Sequence, residues 1–336
     1  MPILRLELIL VLRDKKINLS ARSRPTQQLH LNYISMLDLF LKWYGGINKN
    51  KFGDGYSPHK PITLLFALTK LLKNERWINY QIDRENLEAL IGDYTNFKSK
   101  PNCLQPLWRL KNDSRDLNIW ATVPSDLKAN KSGDISPTEA RERNFQAGFS
   151  EEVFQWLGRN KALAQKLIDD IIDDNFPETL HAGLLEKLGV FDLIPEIVGP
   201  GQFENLIATP KRDPNFPKII LQLYDYRCCF CNLKLYFNHK PFPMEAAHIK
   251  WKARGGECSE QNGLSLCPTH HLAFDRGIWS LDDGHNIVLS SHAKMDTQND
   301  IFFTPFLGKS ITNFILDKKL LPTQENILWH RKNIFI

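Results

Sequence analysis

The pattern of apolar and polar positions divides the chain into a long helical part, a break, and a shorter part of mixed pattern. Ile34, Leu37, Leu39, Phe40, Leu41 and Trp43 give one face of a helix that stops at Gly45-Gly46. A more strongly apolar helix, marked by Ile62, Leu64, Leu65, Ala67, Leu68, Leu71 and Leu72, follows His59-Lys60-Pro61. Another helix is expected over 80–96. Residues 97–120 then interleave basic residues with aromatic and apolar ones around Pro101 and Pro106. Such a stretch can follow a nucleic-acid backbone, or form a surface strand pair whose tryptophans point inward; Trp120 is expected to pack inward in either case. From Ser136 the pattern is helical again, with Ser136-Pro137-Thr138-Glu139 as its capped start. Gly148 interrupts it and Ser150-Glu151-Glu152 restarts it. Leu163, Leu167, Ile168, Ile171 and Ile172 form an inward face, and a short amphipathic helix ends near Gly189. The Pro- and Gly-rich run 195–217 reads as a linker. Beyond it, Met244 to Trp251 reads as a strand leading into a loop with Gly255 and Gly256.

Composition narrows the class. A chain of 336 residues, 42% hydrophobic and 24% charged, can bury a core in each of two domains. The net charge of +5 weakly favours an anionic partner. No run of eighteen apolar residues offers a membrane span, and the apolar start from Pro2 to Leu12 lacks a basic leader and a cleavage site. Five of the six cysteines, Cys228, Cys229, Cys231, Cys258 and Cys267, fall within forty residues beside histidines, with Cys103 far upstream. Without an export signal this clustering reads as metal binding rather than disulfides, and the cytoplasm is the expected compartment.

The spacing separates two sets of chemistry. Cys228 and Cys231 are separated by two residues, as are Cys267 and His270. Two such pairs can close a tetrahedral structural zinc site. His248, Asn262, His271 and Asp275 remain, and His271 and Asp275 are four apart on one helix face. Phosphodiester hydrolysis needs a base to deprotonate water and a cation to stabilise the phosphorane and the leaving oxygen. Histidine can be the base; asparagine and histidine can hold the ion or orient the base. Upstream, Pro61 places His59 and Lys60 at a helix N-terminus, a corner suited to phosphate or simply a helix start with a solvated lysine.

With Cys228-Cys229-Phe230-Cys231, Glu245-Ala246-Ala247-His248-Ile249, Asn262-Gly263-Leu264 and Leu266-Cys267 followed by His270-His271, Phe274-Asp275-Arg276-Gly277, the stretch 227–279 resembles an HNH endonuclease of the McrA-like, restriction-associated type. The tail from Leu328 to Phe335 resembles the ending of that group. The resemblance implies a hairpin-plus-helix module, with His248 as general base, Asn262 as the middle residue of the motif, and Asn262 and His271 at a catalytic Mg²⁺ or Mn²⁺. Ala247 stands where many HNH enzymes carry an acidic ligand; Glu245 compensates, or the ion rests on fewer protein ligands.

Residues 35–190 resemble the sulfur-binding domain fused to HNH modules in enzymes that cut phosphorothioated DNA. The points of contact are Ser57-Pro58-His59-Lys60-Pro61, Pro106-Leu107-Trp108-Arg109-Leu110 and the segment from Asn144 to Phe149. The resemblance implies that His59, Lys60 and Arg109 hold the phosphate charge while Pro106 and Leu107 cover the sulfur. Sulfur is a poor hydrogen-bond acceptor, so an apolar patch covers it at little cost but would leave an oxygen unsatisfied. Gln105 stands where the family carries tyrosine, and a glutamine can also read a base edge. Lys131, Arg141 and Arg143 are equal candidates for a further arginine-like contact.

The expected architecture is α+β: an arm (1–30), a mostly helical DNA-reading domain with a small sheet (31–194), a linker (195–217), and a zinc-stabilised ββα-metal nuclease (218–336). The expected function is a modification-dependent restriction endonuclease acting on double-stranded, phosphorothioated DNA. The alternatives are an HNH nuclease reading a modified base such as methylcytosine, or a zinc-stabilised DNA-binding protein without cleavage. Two-strand cutting by one site per chain favours a homodimer.

Overall fold

A computed structural model describes residues 36–48, 57–95, 101–114, 117–190, 215–241, 244–296 and 300–335. The expected arm, most of the linker and the lysines of 97–100 lie outside them.

The first unit is built around one apolar helix. After α1 (36–46), α2 (His59–Leu72) buries Ile62, Leu64, Leu65, Leu68 and Leu71 almost completely. At about 1.5–3 kcal/mol per large apolar side chain, these five contribute on the order of 10 kcal/mol before chain entropy is counted. Then come β1 (Trp77–Asn79), α3 (Tyr80–Asp93), α4 (Leu104–Ser114), β2 (Trp120–Val123), α5 (Pro137–Glu142), β3 (Gln146–Phe149), α6 (Glu151–Gly158), α7 (Lys161–Asn175) and α8 (His181–Leu188). The expected caps form: Ser136 Oγ accepts from Glu139 N, and Ser150 Oγ from Val153 N. α8 ends where Gly189 turns left-handed at φ 67°.

Two segments differ from the sequence reading. Residues 104–114 form a helix rather than a strand pair, because Leu104, Leu107, Trp108 and Leu110 recur at helical spacing and are all buried. Residues 146–149, expected to be helical up to Gly148, form the central strand of an antiparallel sheet ordered β1-β3-β2. Tertiary packing decides this. A Cβ at Gly148 would lie 2.3 Å from Arg76 O, so glycine admits the neighbouring backbone. Trp120 packs inward as expected, edge-on to Phe149.

The second unit begins with α9 (Asn215–Leu223), which straddles the expected domain boundary. A small hairpin, β4 (Tyr236–Phe237) with β5 (Lys240–Pro241), precedes the central hairpin of β6 (Glu245–His248) and β7 (Gly263–Leu266). Next come α10 (Pro268–Asp275), the hairpin β8 (Trp279–Leu281) with β9 (Ile287–Leu289), a series of 3-10 turns, and α11 (Gln324–Asn333). α9 presses on the start of β7 so closely that a Cβ on Gly263 would meet Ile220 Cδ1 at 2.1 Å.

The two units share an interior. Trp251, Trp329 and Ile334 of the second belong to the buried cluster of the first. Arg276 donates to Asp93 O at 2.9 Å and lies 4.5 Å from the centre of the Tyr94 ring. Among the described residues no helix is long and apolar enough to cross a membrane.

Candidate active site

Cys228 and Cys231 sit on the turn after α9, pinned to the central hairpin by Cys229 N donating to Ser265 O at 2.8 Å. Cys267 caps α10 and His270 lies in its first turn. The Cys228, Cys231, Cys267 and His270 ligand atoms all fall within 4.8 Å of one another. His270 presents Nδ1 to Cys267 Sγ at 3.1 Å and to Cys228 Sγ at 3.8 Å. Its Nε2 is spent on Phe302 O at 3.0 Å, which fixes the ring, and Phe230 stacks on it at 4.1 Å. Hydrogen bonding to Cys231 and Cys267 pushes the Cys228 thiol well up, while hydrogen bonds from Cys228 and Cys231 hold Cys267 well down. Three crowded sulfurs share a thiolate in this way unless a cation lets all of them ionise, so the donor set fits a tetrahedral metal. Cys229 and Cys103 are buried thiols outside the cluster, and none of the six cysteines is in a disulfide.

The chemistry of the hairpin is divided between its faces. In a strand, residues three apart project to opposite sides and residues two apart to the same side. Glu245 therefore shares the face of Ala247 and meets α10: its Oε2 lies 2.8 Å from His271 Nδ1. His271 Nε2 faces Asp275 Oδ2 at 3.3 Å. The imidazole thus lies between two carboxylates, one half-exposed and one fully buried. Burial raises the Asp275 pKa; the His271 charge and hydrogen bonds from Thr179 and Trp251 oppose the rise. Trp251 Nε1 donates to Asp275 Oδ1 at 3.1 Å, and Thr179 Oγ1 donates to Oδ2.

His248, at the end of β6, stacks on Phe216 of α9 with ring centres 3.9 Å apart. Its Nε2 lies 3.4 Å from Cys258 Sγ. Asn262 is fully buried. Its Oδ1 accepts from Lys250 N at 2.8 Å, and its Nδ2 donates to Lys250 O at 3.0 Å and Glu257 O at 2.9 Å. These bonds close the loop that follows the histidine, at Gly256, where a Cβ would lie 1.7 Å from Lys250 O. The asparagine side chain faces this loop backbone, not His271, and this corrects its expected place beside the ion.

The sequence reading left Glu245 open because its link to His271 depends on strand register. Asp275 was placed on the His271 face, but Thr179 and Trp251 were missed. No local spacing relates either to the HNH motif.

The residues expected to contact DNA divide less favourably. His59 opens α2 half-buried, with Ser57 Oγ 3.2 Å from Nδ1, and Gln105 is exposed, donating to Asp134 Oδ2 at 3.3 Å. Lys60 is buried, bonded to Asp113 at 2.5 Å and to Asn48 O at 2.7 Å. Pro106 and Leu107 are buried as well, Leu107 completely. Lys60, Pro106 and Leu107 are therefore buried in this conformation, so neither the lysine expected at the phosphate nor the expected apolar patch of Pro106 and Leu107 lies at the surface. Arg109 reaches both oxygens of Asp134 at 2.7 Å, so its charge is already paired. Of the three further candidates, Arg143 pairs with Asp126.

Two family models match the chain: the ScoMcrA-like DNA sulfur-binding domain over residues 40–193 and the HNH endonuclease over residues 228–282. No curated protein matches it. Among solved structures, the sulfur-binding domain of ScoMcrA complexed with phosphorothioated DNA is similar at 22% identity. That alignment covers 46% of this chain and 96% of that one, with a TM-score of 0.40. The sulfur-binding domain of SprMcrA complexed with phosphorothioated DNA follows at 20% identity, covering 47% and 96%, with a TM-score of 0.39. The structure of the phosphorothioation-dependent restriction endonuclease ScoMcrA matches at 22% identity over 40% of this chain and 26% of its own length, with a TM-score of 0.35.

Proposed function

From a chain that joins a ScoMcrA-like DNA sulfur-binding domain to an HNH endonuclease domain, we propose a restriction enzyme that selects phosphorothioated double-stranded DNA and hydrolyses its phosphodiester bonds. The observation that carries this reading is the presence of both domains in one chain, with the HNH residues intact on the β6-β7-α10 module.

In this reading His248 is the general base. Phe216 holds its ring plane, Asn262 ties down the loop behind it, and the imidazole accepts the proton of the attacking water. Glu245 and His271 are the residues that would hold the catalytic cation. They form an O/N donor pair of the kind that suits Mg²⁺ or Mn²⁺, with Asp275 orienting the imidazole from behind. The ion supplies charge neutralisation at the phosphate and the leaving oxygen. Glu245 takes the part of the acid missing at Ala247, from the same strand face. Cys228, Cys231, Cys267 and His270 are assigned to a structural zinc. In the reader, His59 and Gln105 remain the candidate DNA contacts, and cutting of both strands implies two chains acting together in the cytoplasm.

The test is digestion of matched plasmids carrying phosphorothioate, methylcytosine or neither, with Mg²⁺ or Mn²⁺. Cleavage confined to the thioated substrate, lost in His248→Ala with binding retained, supports the reading. Equal cutting of all three removes the sulfur specificity, and cutting of the methylated one alone selects a base reader.

A further inference from the structure

The reader and the nuclease meet at one carboxylate. Asp275 is the last residue of α10, and its side chain is 1% exposed. Its three neighbours come from three places. Trp251 holds Oδ1 from the loop after β6, His271 faces Oδ2 from one turn earlier on α10, and Thr179 Oγ1 donates to that same Oδ2 from the reader. Thr179 lies in the 3-10 turn Glu178–Leu180, between α7 and α8. Every polar group in this chain of contacts leads on to the next: hydroxyl to carboxylate, carboxylate to imidazole, imidazole to Glu245.

We infer that Thr179 is a positioning residue for cleavage, through which the reader domain sets the orientation of the His271 imidazole by way of Asp275. A carboxylate with donors on both oxygens has its plane fixed, and a fixed carboxylate fixes the ring that faces it. Without the hydroxyl, Oδ2 keeps only His271, and the two side chains can rotate together away from Glu245. The hydroxyl is one contact among several between the units: Arg276 bonds Asp93 O and Tyr94 OH, Arg254 donates to Asn175 Oδ1 at 3.3 Å, and Trp251, Trp329 and Ile334 are buried in the reader's interior. Removal of one hydroxyl therefore leaves the interface closed while it loosens the ring.

This inference rests on the nuclease reading, and the experiment keeps the two apart. Thr179→Val and Thr179→Ser are compared with the wild-type chain in Mn²⁺-dependent cleavage of the thioated duplex. DNA affinity is followed by mobility shift, melting temperature by calorimetry, and Mn²⁺ binding by isothermal titration. The expected result is a kcat about tenfold lower in Thr179→Val, with KM and DNA affinity within about twofold of wild type, Mn²⁺ binding weakened severalfold, and kcat restored in Thr179→Ser. If the valine variant melts below the assay temperature, Thr179→Ala is judged by the same criteria. A kcat within twofold of wild type overturns the inference, as does a serine variant as slow as the valine one. A wild-type chain that cuts no duplex rejects the nuclease reading itself.

Discussion

Lys60 and Asp113, fifty-three residues apart, meet as an ion pair at 2.5 Å inside the reader, where their side chains are only 9% and 11% exposed. A pair so withdrawn from water holds α2 to the end of α4, and its lysine is not available to a phosphate in this conformation. Lys60→Met should therefore destabilise the chain by about 3 kcal/mol, since it strands a buried carboxylate, and Asp113→Leu in the same chain should recover much of the loss. Denaturant unfolding measures both. The salt dependence of DNA binding should be unchanged; a slope lower by about one would return Lys60 to the phosphate contacts.

Glu245→Gln keeps the size of the side chain and its reach to His271 but removes the charge that a cation needs. Cleavage should fall about 100-fold or more at fixed Mn²⁺ while the mobility shift of thioated duplex is unaltered. Raising Mn²⁺ should recover part of the rate. Undiminished cleavage at low Mn²⁺ would mean that the ion rests elsewhere.

Elemental analysis of the purified chain should find one tightly bound zinc. Cys267→Ser should lose it and lower the melting of the nuclease unit, because the site joins the turn after α9 to the start of α10. A thermal scan that follows tryptophan fluorescence and calorimetry together should report the change, and full metal content in the serine variant would exclude Cys267 as a ligand.

His330 gives a prediction for acid stability. It is wholly buried between Ser280 Oγ at 2.9 Å from Nδ1 and Phe274 O at 3.0 Å from Nε2, and burial lowers its pKa to about 3. The folded chain keeps the ring neutral, whereas the unfolded chain protonates it near pH 6.5. Its stabilising contribution is therefore complete above pH 6.5 and is lost as pH falls from there towards 3. By pH 4 the loss amounts to about 3 kcal/mol. Unfolding of wild type and His330→Gln between pH 4 and pH 8 checks this. The difference between them should shrink as the medium is acidified, and a constant difference would refute it.

The ligand pairs of the metal site were legible because each is local: a turn or a helix start brings residues three apart together, whatever surrounds them. The caps at Ser136 and Ser150 were legible for the same reason. What was not legible depends on distant partners. Nothing near Lys60 or Arg109 announces Asp113 or Asp134, so two cations that read as phosphate contacts are in fact paired. Leu107 entered the expected patch through the family resemblance; the helical spacing of Leu104, Leu107 and Leu110 turns it inward. Gly148 read as an interruption, yet its lack of a side chain is what lets β3 lie against the Arg76 backbone. Glu245 needed the register of β6 before its partner could be named.

The eight residues of α10 have a bearing on how such enzymes arise. One end of the helix holds Cys267 and His270 at the metal site, and the other passes through Asp275 and Arg276 into Thr179, Asp93 and Tyr94. A cutting module moved behind a foreign recognition module would arrive with that second end unanchored. Exchange of specificities between lineages therefore has to carry the matching surface of the old partner along, or rebuild it by later substitution. Adjacent modules in this chain are consequently expected to diversify as a matched pair.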